Sequence, residues 1–120
     1  MTYQEIKNML LMVDDPAIRL EMLMDFGRQL PLPPDDAICT EILGCASFVQ
    51  ICNKNGRFYG VADSILVRGI VFVILAMVDG KTVSQVKEMD MAGEFASLKL
   101  NLGAGRLNGV NSMIRFFKNL

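Results

Sequence analysis

The sequence contains no histidine among its 120 residues. Histidine is the usual general base, the usual partner of a nucleophilic serine or cysteine, and a frequent metal ligand. Its absence therefore excludes a Ser-His-Asp triad, Cys-His proteolysis and every metal site that requires an imidazole. Any chemistry that the chain performs must rely on other groups.

The sequence also lacks clustered charge and long apolar runs. Twelve Lys and Arg oppose thirteen Asp and Glu, and the basic residues are scattered, so we predict neither nucleic-acid binding nor attraction to a membrane surface. The longest apolar segment, Ile65–Val78, is interrupted by Arg68 and Gly69 and is shorter than the about 20 residues that a bilayer requires. The first residues resemble neither a signal peptide nor a transit peptide, and we therefore expect a cytoplasmic protein.

Apolar residues are abundant, at 52% of the chain, which argues against disorder. A chain of this length buries about two-thirds of its unfolded surface, which is enough for one core. We therefore predict one domain over residues 1–120.

The order of the local patterns predicts an α+β fold, with helices packed on a small antiparallel sheet. Thr2 and Asp15 are suitable N-caps for the first two helices. Residues 31–36 are proline-rich and predict an extended connector, and residues 102–106 predict a glycine-rich loop. Helices are predicted over residues 3–13, 16–30, 65–78, 83–89, 92–98 and 107–120, and strands over residues 38–42, 47–53 and 57–62.

A two-residue turn at Asn55-Gly56 predicts a β-hairpin, because both residues tolerate the positive φ angles of a type I′ turn. Side chains alternate between the two faces of a strand. This turn places Cys52 opposite Tyr59, on the face that we expect to point away from the core. The face that we expect to pack on the core carries Val49, Ile51, Phe58 and Ala62.

Cys45 is the candidate nucleophile, because a flanking glycine and a following strand leave its thiol on a turn that can move. The chain has three cysteines, and in a reducing cytosol all three can remain thiols. No Lys or Arg is adjacent, and Glu41 opposes ionisation of the thiol. Activation must therefore come from distant residues, from backbone N–H groups or from a partner.

Other interpretations of the cysteines stay open. Cys45 could be a buried structural thiol, since free cysteine is among the most buried residue types. Cys52 could resolve an oxidised Cys45 through a disulfide, or could simply fill its strand. A zinc site formed by Cys39, Cys45 and Cys52 would have spacings of six and seven residues. Zinc sites usually contain a close pair such as C-x₂-C, so we predict no metal.

Four segments follow one another in order along nearly the whole chain. They are Phe26-Gly27-Arg28-Gln29-Leu30-Pro31, Gly44-Cys45-Ala46-Ser47-Phe48-Val49, Ala62-Asp63-Ser64-Ile65-Leu66-Val67-Arg68-Gly69-Ile70 and Leu102-Gly103-Ala104-Gly105-Arg106-Leu107-Asn108-Gly109. In this order they resemble the motifs Gly-x-x-Leu-Pro, Gly-Cys-Gln-Ser-x-Val-Trp, Ser-Asp-Ala-x-Ile-Val-Lys-Gly-Leu and Leu-x-x-x-Arg-x-x-Gly of the SufE family of sulfur-acceptor proteins, which serve cysteine desulfurases in iron–sulfur cluster assembly. In the cysteine motif, Ala46 replaces the glutamine and Gln50 replaces the tryptophan.

The resemblance implies a SufE/IscU-like fold, in which helices pack on a three-stranded antiparallel sheet. It implies that Cys45 takes a sulfur atom from the persulfide of a cysteine desulfurase, stimulates that enzyme and passes the sulfur on by thiol exchange. Gly44, Ser47, Asp63 and Arg106 match the motifs, and we expect them to brace the loop or to shape the partner surface. We expect no cofactor in this chain, because pyridoxal phosphate would belong to the desulfurase.

The implied partners are a cysteine desulfurase and a downstream iron–sulfur scaffold protein, and both a monomer and a homodimer are compatible with the sequence. The chain would be a sulfur-transfer accessory rather than a stand-alone enzyme. Two alternatives remain. The first is a non-catalytic adaptor that binds the desulfurase without carrying sulfur, and the second is an unrelated thiol-redox protein with a Cys45–Cys52 disulfide.

Overall fold

Six helices and one three-stranded antiparallel sheet make up the computed structural model, which describes residues 1–120. The strands lie in the order β1-β2-β3. The predicted α+β class is confirmed. The elements are α1 (Tyr3–Leu11), α2 (Pro16–Arg28), β1 (Ile38–Glu41), β2 (Val49–Lys54), β3 (Arg57–Ala62), α3 (Ile65–Val78), α4 (Val83–Glu88), α5 (Met91–Ala96) and α6 (Ala104–Lys118).

Local capping signals determine where the first helices begin. The Thr2 hydroxyl accepts a hydrogen bond from the backbone of Glu5, and the Glu5 carboxylate accepts one from the backbone of Thr2. Asp15 caps α2, and Pro16 occupies its first position. These interactions satisfy N–H groups that have no partner inside the helix. The predicted caps of α1 and α2 are therefore confirmed.

The predicted hairpin is also confirmed. Asn55 and Gly56 have φ angles of 53° and 83°, as a type I′ turn requires. Cys52 lies opposite Tyr59, as predicted. Strand β2 begins at Val49, two residues later than predicted, because the preceding residues belong to the turn that carries Cys45.

Helix α3 lies at the centre of the core and packs against both α2 and the sheet. The backbones of α2 and α3 approach so closely that a Cβ atom at Gly69 would lie 1.9 Å from the Leu23 carbonyl oxygen. On the other side, Gly60 of β3 leaves room for Val71 of α3. Although α3 is strongly apolar, none of the six helices has both the length and the apolar character that a membrane span requires.

The predicted core face of the hairpin is confirmed, with Val49, Ile51 and Ala62 buried. Phe58 is partly buried against the core. Its ring meets that of Phe117 edge-on, with centroids 5.1 Å apart, and this contact packs α6 against the hairpin.

Helix α6 begins at Ala104, three residues before the predicted start. The apolar spacing becomes visible only later in the helix, and the two glycines at 103 and 105 suggested a longer loop. Gly103 adopts a φ of 80° and ends that loop. Gly105 lies in the first turn, where its N–H needs no intrahelical partner. The earlier start places Arg106 and Gly109 three residues apart on the helix, hence on the same side.

We predict that Gly69→Ala lowers the free energy of unfolding by about 1–3 kcal/mol, because α2 and α3 must separate to admit the new methyl group. Urea denaturation followed by circular dichroism measures this change.

Gly105→Ala is the matched control. A Cβ atom there meets no other atom within 4 Å, so stability should stay the same or rise by up to about 1 kcal/mol. Equal stabilities of the two variants would contradict the close α2–α3 contact.

Candidate functional site

Cys45 lies on the loop of residues 42–48, which connects the antiparallel strands β1 and β2. Both ends of this loop are held by backbone hydrogen bonds. The Ile42 N–H donates to the Val49 carbonyl at 2.9 Å, and the Asp63 N–H donates to the Phe48 carbonyl at 3.4 Å. The middle of the loop has no regular structure, so the thiol sits on the least constrained part of a segment that is anchored at both ends.

Gly44 turns the chain immediately before the cysteine. Its φ of 92° lies in the left-handed region, which favours glycine. A Cβ atom there would lie 2.6 Å from the Ser112 hydroxyl oxygen. Ser112 is buried and is itself fixed, since its hydroxyl donates to the Asn108 carbonyl and accepts from Arg115, both at 3.0 Å. The turn therefore rests on a rigid position of α6.

The thiol of Cys45 is half-buried and points towards Gly109 of α6. Its sulfur lies 3.8 Å from the Gly109 carbonyl oxygen, as a weak hydrogen-bond donor. A Cβ atom at Gly109 would lie 3.2 Å from the sulfur, so the missing side chain is what allows the loop to lie against the helix. Burial raises the pKa of the Cys45 thiol, because the low-dielectric surroundings disfavour the thiolate.

A cavity of about 260 Å³ opens beside the thiol, between the loop, the start of α3 and the first half of α6. Arg106 is the only charged residue of its lining. The Arg106 guanidinium donates to the Leu102 carbonyl at 3.4 Å. The site thus places one thiol and one cation in an otherwise uncharged cavity, which can accommodate a small anionic group.

The structure brings the predicted site residues together around this loop. Cys45, Ser47 and Arg106 line the same cavity. Gly44 forms the turn, and Asp63 braces the loop through its backbone N–H rather than through its carboxylate.

Sequence reasoning assigned no role to two residues of α6, Gly109 and Ser112, against which the loop packs. Gly109 was visible as the last residue of the Leu-x-x-x-Arg-x-x-Gly motif. The sequence gives only a weak indication for Ser112, which is a polar residue close to the apolar Val110 and Met113 that are buried in α6. Their contact with the loop could be recognised only when the helix was placed beside it.

The cysteines are not all thiols, although the sequence is compatible with three free thiols. Cys39 and Cys52 form a disulfide, and Cys45 is the only free cysteine. The alternative Cys45–Cys52 pairing is therefore wrong, and so is the interpretation of Cys52 as a strand filler. The reason is the register between β1 and β2, which places Cys39 directly opposite Cys52. The bond also occupies two of the three thiols from which a zinc site would be built.

Comparison with known proteins gives a consistent result. The family model of SufE, described as the Fe-S metabolism associated domain, matches residues 4–120. The chain is 31% identical over 119 residues to an uncharacterized SufE-like protein of Rhizobium meliloti, covering 89% of this chain and 85% of that protein. It is 33% identical over 104 residues to the sulfur acceptor protein CsdE of Escherichia coli, covering 79% of this chain and 71% of that protein.

Among solved structures, the solution structure of a hypothetical protein from Thermus thermophilus superposes with a TM-score of 0.77. The match covers 99% of this chain and 94% of that one, at 16% identity. The likeness therefore concerns the fold, which agrees with the predicted architecture.

We predict that the alkylation rate of Cys45 rises with pH around a midpoint above the value of about 8.5 for an ordinary thiol. The folded state favours the protonated thiol, so this group stabilises the fold below its unfolded pKa, and the contribution is lost as pH rises through the folded pKa. Iodoacetamide trapping of the disulfide-bonded protein measures the profile. The same protein in urea is the control, and a folded midpoint at or below the unfolded one would contradict the burial of the thiol.

We also predict that Gly109→Ala makes Cys45 alkylate severalfold faster, because the new methyl group pushes the thiol away from α6. The control is Gly105→Ala, which lines the same cavity without adding a contact. Both rates are measured at one pH on variants whose circular dichroism matches the parent. A Gly109→Ala rate equal to that of the control would show that the helix does not hold the thiol.

Proposed function

Since the chain belongs to the SufE family, whose model matches residues 4–120, we propose that it is a sulfur acceptor in iron–sulfur metabolism and that Cys45 receives the sulfur. The observation that carries the proposal is the position of Cys45. It is the only free thiol, it occupies the cysteine of the family signature, and it lies on a loop beside a cavity. The relative named sulfur acceptor protein CsdE supports the same role.

The proposed donor is the cysteine persulfide of a desulfurase. The Cys45 thiolate attacks the terminal sulfur of that persulfide, the donor S–S bond breaks, and the donor cysteine leaves as a thiolate that takes up a proton. Cys45 then carries the persulfide. A later acceptor, which we propose to be an iron–sulfur scaffold protein, takes the terminal sulfur and returns Cys45 to the thiol. Pyridoxal phosphate chemistry belongs to the desulfurase.

The cavity beside Cys45 supports the carrier role. Its volume of about 260 Å³ exceeds the roughly 30 Å³ share of one water molecule, so an additional sulfur atom can be held beside the helix. A persulfide is anionic at neutral pH, and we propose that the Arg106 guanidinium, which lines the same cavity, stabilises this charge. In this proposal Arg106 stabilises the loaded state, while Gly44, Ser47 and Asp63 position the loop.

The resting thiol must turn outwards before it meets a donor. In the structure it is half-buried and faces Gly109, and burial raises its pKa, which disfavours the thiolate further. We propose that docking of the desulfurase moves residues 43–47, which have no regular structure, away from α6. This movement exposes the thiol to the donor. Stimulation of the desulfurase follows from removal of its sulfur, which frees the enzyme for another turnover.

Two exposed leucines support a protein partner at this surface. Leu43 in the loop is 78% exposed, and Leu107 in the first turns of α6 is 43% exposed. Both are close in sequence to residues of the cavity. Exposed apolar side chains beside a reactive group are typical of a docking surface, and we propose that the cysteine desulfurase covers them.

A non-catalytic adaptor is the second candidate function. The inward thiol with its raised pKa favours it, as do the departures from the family signature at Ala46 and Gln50. In that case the protein would bind the desulfurase and change its activity while Cys45 remained unmodified.

We predict that incubation with cysteine and the cysteine desulfurase of the source organism adds about 32 Da, the mass of one sulfur atom, to the protein. Intact-mass spectrometry without reductant detects the adduct, and peptide mapping assigns it to Cys45. The increase should disappear after treatment with a dithiol.

Cys45→Ser should abolish the adduct and the stimulation together, whereas the double variant Cys39→Ser/Cys52→Ser should retain both. An adduct that persists in Cys45→Ser would refute the assignment of the acceptor residue. Stimulation that survives Cys45→Ala without any adduct would establish the adaptor instead.

A further inference from the structure

The disulfide between Cys39 and Cys52 encloses the Cys45 loop. Its two cysteines are 13 positions apart, and the loop of residues 42–48 lies between them. One cysteine belongs to β1 before the loop and the other to β2 after it. The bond therefore ties together the two strands from which the loop projects.

Strand β1 depends on this bond because its other attachments are few. It has four residues, all exposed, and it pairs only with β2 at the edge of the sheet. Nearby, Lys54 forms an exposed ion pair with Asp36 at 2.7 Å, which contributes little in water. After the strand, Ile42 is buried and bonds to Val49. Apart from the backbone of the loop itself, the disulfide is the only covalent link between β1 and the rest of the sheet.

The two sulfur-bearing residues differ in accessibility. Cys39 is exposed, like the rest of β1, whereas Cys52 is fully buried, at 0% exposure. A reductant can therefore approach the bond from the Cys39 side. We therefore expect attack at the Cys39 sulfur, with Cys52 as the leaving thiolate.

We propose that the Cys39–Cys52 disulfide is a reversible redox site that restrains the Cys45 loop when oxidised and releases it when reduced. The reductant is a dithiol. One of its thiolates attacks the Cys39 sulfur, the protein S–S bond breaks, and Cys52 leaves as a thiolate that takes up a proton. The second thiol of the reductant attacks the mixed disulfide and releases Cys39. Two electrons pass from the dithiol, which becomes a disulfide, to the two cysteines.

Reduction leaves β1 attached by four residues of edge pairing and by the Ile42 anchor. Edge elements with few buried contacts open locally at low free-energy cost. When β1 opens, the loop gains length on one side, and Cys45 can leave Gly109 more often. The effect on the reactivity of Cys45 does not depend on the proposed function, whereas the effect on sulfur transfer rests on it.

The test compares the oxidised wild type with the double variant Cys39→Ser/Cys52→Ser, since Cys45 is the only free thiol in both. We expect the double variant to react with iodoacetamide at least about fivefold faster, as local opening becomes easier. Amide hydrogen exchange over residues 38–48 should increase in parallel, while exchange in α3 should stay the same.

The wild type reduced by a dithiol is the second arm, which does not depend on how well the variant folds. Peptide mapping quantifies alkylation at Cys45 apart from the other two cysteines, and the rate should match that of the double variant. Reoxidation should restore the slow rate, with a mass loss of about 2 Da.

Equal Cys45 rates in the oxidised and reduced wild type would overturn the proposal. The absence of a linked peptide containing Cys39 and Cys52 after mild oxidation would also overturn it. The result is independent of the desulfurase. If the redox effect on alkylation is present but no sulfur adduct forms in either state, the proposed function fails and the redox site stands.

Discussion

Burial of α3 is the constraint on which the structure depends. Eight of its fourteen residues are buried, and a helix that is apolar on most sides is stable only when other elements cover it. Helix α2 covers one side at backbone contact through Gly27 and Gly69. Strand β3 covers another, where Gly60 admits Val71. These glycines have no side chain, so the backbones of neighbouring elements can approach one another more closely than they could with a Cβ atom between them.

The candidate site follows from the same packing. The hairpin lies on α3, α6 packs against the hairpin through the ring contact of Phe58 with Phe117, and the β1–β2 loop is left at the junction of α3 and α6. Cys45 therefore contacts α6 and borders a cavity that α3 also lines, and its thiol is only partly buried. Two small residues of α6, Gly109 and Ser112, leave room for the turn at Gly44 and Cys45. Larger side chains at these two positions would displace that turn.

This arrangement gives a thiol that is protected when idle. Burial raises the pKa of Cys45, which lowers its thiolate fraction and its susceptibility to oxidation at neutral pH. The Cys45 thiol therefore becomes more reactive only when the loop moves away from α6. The contacts that hold the two ends of the loop determine how readily it moves. The Cys39–Cys52 bond and the backbone bonds of Ile42 and Asp63 are those contacts. In the proposed function, a protected thiol and a thiol that can accept sulfur are therefore alternative states of one short segment.

The sequence by itself determined the features whose physical cause is local. The Thr2 and Asp15 caps, the Asn55-Gly56 turn and the register of β2 with β3 depend on residues that are near one another in the chain, and each was predicted correctly. The free, movable Cys45 could also be proposed from its flanking residues and from the family motifs.

Only the tertiary structure decided the rest, because the deciding contacts join distant positions. Cys45 and Gly109 are 64 positions apart, and nothing near the cysteine indicates that its thiol is buried against a helix. The pairing of Cys39 with Cys52 depends on the β1–β2 register, for which no short turn gave a signal. The sequence predicts the start of α6 three residues too late, because Gly103 and Gly105 favour a loop when only their local conformational preference is considered. Local signals specify elements, whereas the thiol's environment and its disulfide neighbours arise from how those elements pack.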